Sequence, residues 1–519
     1  QVTYRVICAI MFGLEILVGF FALLVGLYYF FTRNFNYWKN RNVKGPKPTV
    51  FFGNLKDSTL RKEPLALAFK RVYDDYPNEP FVGIYTMTTP SVLIRDLDLI
   101  KHVMIKDFDM FEDRGVEFSK EGLGANLFHA DGETWRVLRN RFTPLFTTGK
   151  LKNMLHLITE RGDKFLDYVE AITNKQPEQS VHKLVQVYTV TTISACAFGL
   201  DIDIMDRSDA ILASLDRIDN MIFRRYFLQE FNMMFPGVLK VLNWSFFPKF
   251  LTNFFEELVK KVVTERNGVP TNRNDFMDLI LQLKNEGDVT GPKKNENSKD
   301  LSLEITNDVI AAQAFVFYAA GYETSATTMT FMLYELAKNP NIQDKLCQEI
   351  DEVLAKSNNV ITYDTLTQLP YMDKVFDETL RMYPLVDPLQ RNVTLHDYTI
   401  PNTDVVIKEG QTVYVSAMGV HHDETLYPKP EEFDPERFDP KVAAARHSCA
   451  YLPFGVGPRN CIGMRFAKVQ SKVCILKLLS RFRVELAPSE KELTFDNSRA
   501  IMSPTQNFKL KFVPRKKVQ

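Results

Sequence analysis

One cysteine, Cys461, lies in a glycine-rich loop that reads PFGVGPRNCIG, from Pro453 to Gly463. Gly455 and Gly457 allow backbone conformations that are closed to other residues, so such a loop can press against a flat ligand. The residues that follow are apolar at helical spacing, which predicts a helix whose N-terminal N–H groups favour an anion near the cysteine. This pattern suits a thiolate that binds the metal of a macrocycle from one side.

Two neighbours of the cysteine fit the same hypothesis, and two other interpretations stay open. Phe454 would shield the sulfur, and Gly463 leaves room where a side chain would strike the macrocycle. However, a lone cysteine is more often a small buried hydrophobe than a ligand, and the stretch also fits a plain glycine loop before a helix. It is not a dinucleotide-binding fingerprint, because Asn460 occupies the position of the third glycine.

A second set of reactive groups lies in the longest predicted helix, from about Thr306 to Lys338, whose middle reads AAGYETS. Glu323 and Thr324 adjoin there, and a hydroxyl can position water while a carboxylate passes protons from solvent. Gly321 costs roughly 1 kcal/mol against alanine in a helix interior, so it should serve another purpose. With Ala320 it would let a small ligand approach the backbone, or it would permit a local bulge. The alternative is a packing notch beside a satisfied threonine.

Two further pairs have the spacing of neighbours on a helix. Trp135 and Arg139 are four residues apart, so an indole N–H and a guanidinium on one face can both donate to a carboxylate. Glu378 and Arg381 are three apart in a helix that Pro384 ends. By spacing alone, the first pair also fits a core tryptophan beside a surface ion pair, and the second fits a weak surface bridge.

Five motifs follow one another along the chain in the order found in the cytochrome P-450 superfamily, which the chain therefore resembles. They are Trp-x-x-x-Arg at 135–139, Ala-Gly-x-Glu-Thr at 320–324, Glu-x-x-Arg at 378–381, Pro-Glu-Arg-Phe at 435–438 and Phe-x-x-Gly-x-x-x-Cys-x-Gly at 454–463. The resemblance covers essentially the whole chain, and the stretch from Phe111 to Met154 is most similar to insect microsomal members of the family six group. It implies a mainly α fold with small β-sheets, in which a single catalytic domain follows an N-terminal transmembrane helix.

The resemblance implies a role for each candidate residue. Cys461 would be the thiolate ligand of the iron of haem b, and Thr324 and Glu323 would deliver protons. The residues expected to contact the haem are Arg114, Trp135, Arg139, Ala320, Gly321, Arg391, Phe454, Gly455, Arg459 and Gly463. The residues expected to line the substrate pocket are Phe118, Leu123, Phe128, Phe315, Ala319, Val386, Leu389 and Met502. Glu378, Arg381 and Arg437 would form a buried charge network that fixes the loop beneath the haem.

The family's reaction is monooxygenation, in which one atom of O2 enters a lipophilic substrate and the other leaves as water. Electrons would come from NADPH through a diflavin reductase, with cytochrome b5 as an optional donor, because this chain has no flavin or nucleotide motif. Plant toxins and insecticides are the expected substrates. Three alternatives stay open: turnover of an endogenous hormone or lipid, a haem-thiolate isomerase or dehydratase, and a haem sensor or carrier. The Glu323–Thr324 pair argues against the second.

Composition and the N-terminal segment indicate the partners and the cellular compartment in which this chemistry takes place. A formal net charge of zero with 25% charged residues gives no sign of nucleic-acid binding, and six scattered cysteines indicate a reducing compartment. Residues 7–31 are apolar except for Glu15, which is enough to span a hydrocarbon core about 30 Å thick. Only Arg5 precedes this segment, whereas five basic residues follow it between 33 and 47, which predicts a cytoplasmic body. A cleaved signal peptide is the alternative.

We therefore expect a membrane anchor and basic linker at 1–44 and a haem-binding monooxygenase domain at 45–519, single-pass in the endoplasmic reticulum membrane. Lys516 and Lys517 near the end of the chain resemble a dilysine retrieval signal. The phenylalanine-rich residues 221–255 would form an apolar lid at the lipid interface.

Three smaller expectations concern other parts of the chain. A hairpin that begins at Pro80 should break at Thr89–Pro90, and the polar residues 283–300 should form a solvated loop. Lys468, Lys472 and Arg136 would form a basic surface that steers an acidic electron donor. The adjacent His421 and His422 point in different directions and lack a partner at metal-binding spacing, so both should be structural.

Overall fold

The computed structural model describes residues 2–116, 122–205, 210–225, 227–235, 237–242, 244, 247–285, 289–290, 302–490 and 492–515. Helices predominate and strands are short, which confirms the expected mainly α fold with small β-sheets. The predictions for Phe118, for Lys516 and Lys517 and for most of residues 283–300 lie outside the described residues.

The described helices are α1 Val2–Thr32, α2 Lys56–Thr59, α3 Leu65–Asp75, α4 Leu97–Lys101, α5 Gly132–Phe142, α6 Thr148–Thr173, α7 Val181–Phe198, α8 Ala210–Phe223, α9 Phe227–Met234, α10 Val238–Val241, α11 Lys249–Glu265, α12 Phe276–Asn285, α13 Asn307–Lys338, α14 Pro340–Lys356, α15 Tyr363–Thr367, α16 Pro370–Met382, α17 Ala417–His421, α18 Pro440–Ala444 and α19 Met464–Arg481. The described strands are β1 Phe81–Thr86, β2 Thr89–Ile94, β3 Glu178–Ser180, β4 Val289–Thr290, β5 Ser302–Leu303, β6 Leu389–Asn392, β7 Tyr398–Thr399, β8 Val406–Ile407, β9 Thr412–Val415, β10 Phe482–Leu486 and β11 Lys509–Pro514.

The largest sheet has the order β1-β2-β9-β6, and only its β2–β9 pair is parallel. The expected hairpin break at Thr89–Pro90 is wrong. Pro90 lies inside β2 opposite Tyr85, and the chain reverses instead at Met87, which has φ 56°. Pro90 is tolerated because it stands at the start of the strand, before the pairing with β9 begins at Val92.

Helix α13 runs through the core and is buried along most of its length, as an apolar helix of this length requires. Its cap is Thr306, whose hydroxyl accepts a bond from Val309 N at 3.3 Å. Gly321 faces α7, where an added Cβ would lie 2.7 Å from Ile193 Cδ1. The glycine therefore permits close helix packing, and α13 continues as an α-helix without the bulge that we considered.

The segment predicted as a basic linker packs on the largest sheet. Trp38 is buried, and its Nε1 donates to Ile84 O at 3.0 Å. Any side chain on Gly83 would overlap the indole ring, and Gly83 N donates to Lys44 O at 2.9 Å. Trp38 and Lys44 of the predicted linker therefore contact the sheet directly.

Within the described residues, one segment is long and apolar enough to cross a membrane, Ile10–Thr32 of α1, a criterion that a signal sequence also meets. At the end of this helix, Phe31 packs on Phe51 and Phe235, with ring centroids 4.5 and 6.2 Å apart. The helix therefore meets the body next to the phenylalanine-rich segment 221–255.

That segment divides between core and surface. Leu239, Phe247 and Phe255 are buried, whereas Val241 and Trp244 are exposed. Part of the segment is therefore ordinary core, and part presents apolar side chains outward.

Candidate active site

The loop around Cys461 is closed by a hydrogen bond from Cys461 N to Phe454 O at 2.8 Å. Gly455 and Gly457 have φ values of 66° and 76°, in the left-handed region that favours glycine. A Cβ on Gly457 would overlap the carbonyl oxygen of Met104. The glycines therefore let the loop fold tightly and lie directly against a neighbouring helical turn.

The Cys461 side chain is accessible, although the surrounding protein is close enough that burial raises the pKa of its thiol. A hydrogen bond from Gly463 N and the charges of Arg139 and Arg114 act in the opposite direction and favour the thiolate. Helix α19 begins at Met464, with Gly463 as its N-cap. Among the described residues, and apart from its chain neighbours, no atom lies within 4 Å of a Cβ placed on Gly463.

Four guanidinium groups converge beside this loop, and we call Arg114, Arg139, Arg391 and Arg459 the arginine cluster. Burial, with repulsion from the other three, holds the pKa of Arg114 well below its usual value. Burial and Arg459 lower the pKa of Arg391 to about 9. Burial lowers the pKa of Arg459 to about 10, although Asp113 opposes the shift. The cluster carries more positive charge than its surroundings balance.

Two members of the arginine cluster have buried N–H groups with no hydrogen-bond partner among the described residues: Nε of Arg391, and Nε and Nη1 of Arg459. Arg459 Nη2 donates to Ala130 O at 2.9 Å, and Asp113 and Asp131 lie 3.5 and 4.0 Å from it. Buried charged donors without acceptors are costly. The surplus of donors and positive charge therefore fits the two carboxylates of a haem.

Helix α5 presents Trp135 and Arg139, and Arg139 also holds the cysteine loop. Its Nη1 donates to Asn460 O at 2.8 Å and its Nη2 to Asn460 Oδ1 at 2.6 Å. The Arg459 guanidinium lies 4.3 Å from the centre of the Trp135 ring, a cation–π contact. Asn460 is a site residue that the sequence analysis missed, and its place directly before Cys461 was the available signal.

In the buried middle of α13, three residues spaced by four stay accessible: Ala320 is exposed, and Val316 and Thr324 are half-buried. Residues at this spacing share one face, which we call the accessible face of α13. The structure does not place Phe315 or Ala319 on this face, because both are buried. Val316 was missed, although counting back by four from Thr324 would have found it.

Phe315 instead belongs to an aromatic cluster in the core. Its ring centroid lies 4.9 Å from that of Phe247 and 5.3 Å from that of Phe255. One position along a helix turns a side chain by about 100°, which is enough to separate the core face from the accessible face.

Glu323 is fully buried and is bound from several sides. Its Oε1 accepts from Arg499 Nη2 and its Oε2 from Gln186 Nε2, both at 2.7 Å, and His182 Nε2 lies 3.3 Å from Oε1. Burial opposes ionisation, but the charges of His182 and Arg499 outweigh it and lower the pKa of Glu323 to about 2. Among the described residues, these partners of the carboxylate do not include Thr324, which adjoins Glu323 in sequence but leaves the helix in another direction.

The same guanidinium binds a second buried carboxylate, Asp219 of α8. Arg499 Nη1 donates to Asp219 Oδ2 at 2.6 Å, and Tyr322 OH donates to Asp219 Oδ1 at 2.9 Å. Arg499 and Asp219 lie more than a hundred residues from Glu323, on either side of α13 in the sequence, so no local pattern could have found them. One buried cation therefore balances two acids on different helices.

Arg499→Gln should destabilise the protein by about 3–5 kcal/mol at neutral pH, because two buried carboxylates lose their cation. In the wild type, the pKa of Glu323 falls from 4.5 to about 2, so its contribution to stability is present above pH 4.5 and is lost as the pH falls towards 2. In the variant, one of the two charges that lower this pKa is lost while His182 remains, so the pKa rises relative to the wild type and the loss of stability should shrink as the pH falls below about 5. Urea unfolding at several pH values measures this.

Arg483→Gln is the matched control for Arg499→Gln. Arg483 pairs with Asp344 at the surface, so its loss should cost less than about 1 kcal/mol. If the free energy of unfolding lost in Arg499→Gln does not change with pH, the residue acts through packing alone.

Glu378 and Arg381 form a buried ion pair, and the half-buried Arg437 lies beside it. Arg381 Nε and Nη2 donate to the two carboxylate oxygens of Glu378 at 2.7 and 2.9 Å, and both side chains are fully buried. Arg437 Nε lies 3.5 Å from Glu378 Oε1, which is an ion pair but a weaker contact. Arg381 Nη1 also donates to His421 O at 2.9 Å.

Both adjacent histidines bind backbone groups, as expected of structural residues. His421 Nε2 accepts from Leu452 N at 2.8 Å, and its Nδ1 faces the carbonyl oxygen of Arg381 at 3.2 Å. Burial lowers the pKa of His421 to about 3, so the ring stays neutral and can accept. His422 Nδ1 lies 3.0 Å from Met418 O. His421 therefore links the charge network to the start of the cysteine loop.

The residues predicted to line the pocket divide into the exposed Phe128 and Val386, the half-buried Leu389 of β6, and the buried Leu123 and Met502. Met502 N donates to Leu385 O at 2.9 Å, which joins the C-terminal turn to the segment before β6.

The basic surface predicted for an electron donor is largely neutralised. Lys472 is buried and its Nζ donates to Asp373 at 2.9 Å, while burial lowers its pKa. Lys468 pairs with Asp377 at 2.9 Å, and Arg136 pairs with two carboxylates at 2.5 and 2.6 Å. Lys472 was predicted to face solvent, but α16 covers it and supplies its acidic partner.

The family model described as Cytochrome P450 matches residues 43–512, a range that includes every site residue described above. The chain is 54% identical to Cytochrome P450 6B6 of Helicoverpa armigera over 498 residues, 96% of this chain and 98% of that protein. It is 54% identical to Cytochrome P450 6B1 of Papilio polyxenes over 503 residues, 96% and 99% of the two chains. Cytochrome P450 6k1 of Blattella germanica is 36% identical over 520 residues, 98% of each chain. The resemblance drawn from the five motifs is confirmed.

Proposed function

The chain belongs to the cytochrome P450 family and is therefore a monooxygenase, and from this premise we propose its substrates, electron source and cellular setting. It inserts one oxygen atom of O2 into lipophilic small molecules of the plant-toxin and insecticide type, with electrons that NADPH supplies through a reductase. The observation that carries the proposal is an accessible thiol beside a cationic cluster with unmatched buried donors.

A haem with a cysteine thiolate ligand is the family's cofactor, and when bound it would activate O2. We assign Cys461 as the iron ligand and the arginine cluster, with Trp135, as the residues that hold the propionates. The Gly463 N–H prepares the sulfur for this role, because it favours the anionic form together with two of the arginines.

We propose that Thr324 and Glu323 handle the protons that the reaction consumes. Thr324 Oγ1 donates its own proton to Ala320 O at 2.5 Å, so its lone pairs stay free to orient a water on the accessible face of α13. Glu323 is ionised at neutral pH because its pKa is about 2. Glu323 and Thr324 leave α13 in different directions, so we propose that a proton passes between them through water.

Thr324→Ala should lower the yield of product per NADPH consumed by about tenfold or more, because the hydroxyl that orients water is lost. Substrate affinity should change little. Product, NADPH consumption and hydrogen peroxide are measured together in a reconstituted system with reductase.

Thr328→Ala is the matched control, because its hydroxyl bonds the carbonyl oxygen of residue 324 at 2.8 Å in the same i−4 arrangement. It should keep the wild-type coupling. Full coupling in Thr324→Ala would instead favour an isomerase or dehydratase, which needs no proton delivery to O2.

A lipophilic substrate is supported by the apolar side chains that stay accessible between buried neighbours, among them Phe128, Val316 and Val386. Such side chains favour apolar ligands through burial of their surface. The test is turnover by microsomes that contain this protein and reductase, with plant toxins, insecticides, steroids and fatty acids compared side by side. NADPH-dependent oxidation of the first two groups is expected. Oxidation confined to steroids or fatty acids would move the function to an endogenous hormone or lipid.

We propose that residues 1–44 anchor the protein once in the endoplasmic reticulum membrane and that the haem-binding domain at 45–519 lies on the cytoplasmic side. The apolar span Ile10–Thr32 and the basic residues after it support this arrangement. The exposed Val241 and Trp244 support contact of the body with the same bilayer. The reductase and cytochrome b5 would then be partners at that membrane.

A further inference from the structure

The loop that carries Leu123 and Phe128 is fastened to α13 by one buried side chain, Gln313. Gln313 Oε1 accepts from Leu127 N at 2.9 Å, and its Nε2 donates to Ala125 O at 3.0 Å. The Gln313 side chain is fully buried; its bond with Leu127 N is buried from water, and its bond with Ala125 O is partly buried. A single amide group thus accepts from one backbone N–H of the loop and donates to one backbone carbonyl oxygen.

A second amide, from Asn126, organises the same loop from within. Its Oδ1 accepts from Phe128 N at 2.9 Å and His129 N at 3.1 Å, and its Nδ2 donates to Leu123 O at 2.6 Å. Asn126 is also buried, and it lies between the two backbone groups that Gln313 holds. The turn from 123 to 129 is therefore fixed from inside and from α13 together.

The fastened loop leads directly to the arginine cluster. Phe128 O accepts from Arg114 Nη1 at 2.9 Å, and the Phe128 ring lies 4.4 Å from the same guanidinium. The Phe128 side chain is 41% exposed, whereas Leu127 and Ala130 are only 6% and 5% exposed. Phe128 is therefore the most exposed side chain among residues 127–130.

We propose that Gln313 is a positioning residue that selects substrates by fixing the place of Phe128. This deepens the proposed function and rests on it, because Phe128 selects substrates only if it lines their pocket. Without the amide, Leu127 N would be buried and Ala125 O partly buried, and both would lose their partner on α13. The loop would move until both groups reached other partners, and Phe128 would move with it.

Gln313→Leu tests the proposal, because it keeps the volume and removes both hydrogen bonds. The probes are imidazole and 4-phenylimidazole, whose binding to the holoenzyme is followed by the shift of the haem spectrum. The ratio of their two Kd values reports how much space the loop leaves for the phenyl ring. The ratio should change by about tenfold or more, and hydrogen exchange at Leu127 should become faster.

Gln343→Leu is the matched control, because Gln343 is a buried amide that binds a backbone in the same way elsewhere. Its Nε2 donates to Val484 O and its Oε1 accepts from Val484 N, both at 2.9 Å. It should lose similar thermal stability but keep the Kd ratio within about twofold of the wild type. A ratio in Gln313→Leu that also stays within about twofold, with the same loss of stability, would reduce Gln313 to a structural role.

Gln313→Glu decides the question if Gln313→Leu does not fold. Its carboxylate still accepts from Leu127 N but cannot donate to Ala125 O while ionised. A ratio displaced from the wild type supports the proposal, and a wild-type ratio overturns it. If the Kd ratio changes in the Gln313 variants but the wild-type enzyme oxidises no compound, the proposed function is wrong and the role of Gln313 in placing Phe128 stands.

Discussion

Cys461→Ser is expected to abolish the long-wavelength Soret band that the reduced protein gives with carbon monoxide, together with substrate oxidation. That band reports an anionic sulfur donor on the iron, and the only thiol in the loop from 453 to 463 is removed. The loss of turnover should exceed the about 10–100-fold typical of removing a ligand's hydrogen-bond partner, because the ligand itself is lost.

Cys449→Ala is the control for this experiment. Cys449 lies shortly before the loop but is fully buried, so it serves packing rather than ligation. Its substitution should keep both the band and turnover. If Cys461→Ser kept haem, band and turnover, the assignment of the whole site would be wrong.

Glu378→Gln should prevent accumulation of folded, haem-containing protein, with a loss of about 3–5 kcal/mol in the free energy of unfolding. The substitution removes the negative charge but leaves the fully buried Arg381 guanidinium in place without its counter-ion. Arg381 also bonds His421 O, and His421 bonds Leu452 N at the start of the cysteine loop. Disturbance at Glu378 should therefore reach the haem ligand, and urea unfolding together with haem content measures both effects.

Glu432→Gln provides the comparison, because Lys429 and Glu432 form an ion pair with the same i,i+3 spacing at the surface. Their side chains are 76% and 63% exposed, so the change should cost less than about 0.5 kcal/mol. A similar small effect in Glu378→Gln would contradict the structural role of the buried pair.

Much of the fold follows from local patterns, and these were predicted well. The longest helix was placed from about Thr306 to Lys338, and α13 runs from Asn307 with Thr306 as its cap. The helix that was expected to end at Pro384 is α16, which spans Pro370–Met382. Caps, proline stops and apolar periodicity act over a few residues, so the sequence displays them directly.

The site was predicted less completely than the fold. The left-handed glycines of the cysteine loop follow from its sequence, whereas its contacts with Arg139 and Met104 come from segments far away in the chain. The roles of Glu323, Thr324 and the haem-contacting residues remain predictions that the experiments above test. The lysines expected to face an electron donor were misjudged, because the acidic helix that covers Lys472 lies about a hundred residues earlier in the chain.

By itself, the sequence determined the family, the helical architecture and the thiol at the centre of the site. Only the tertiary structure decided that Val316 rather than Phe315 lies on the accessible face of α13, and that Arg499 and Gln313 reach their distant partners. The periodicity of a helix fixes how its side chains lie relative to one another, but not how the helix is rotated against its neighbours. That rotation results from packing between segments far apart in the chain, which is where Glu323 meets Arg499 and Gln313 meets the loop.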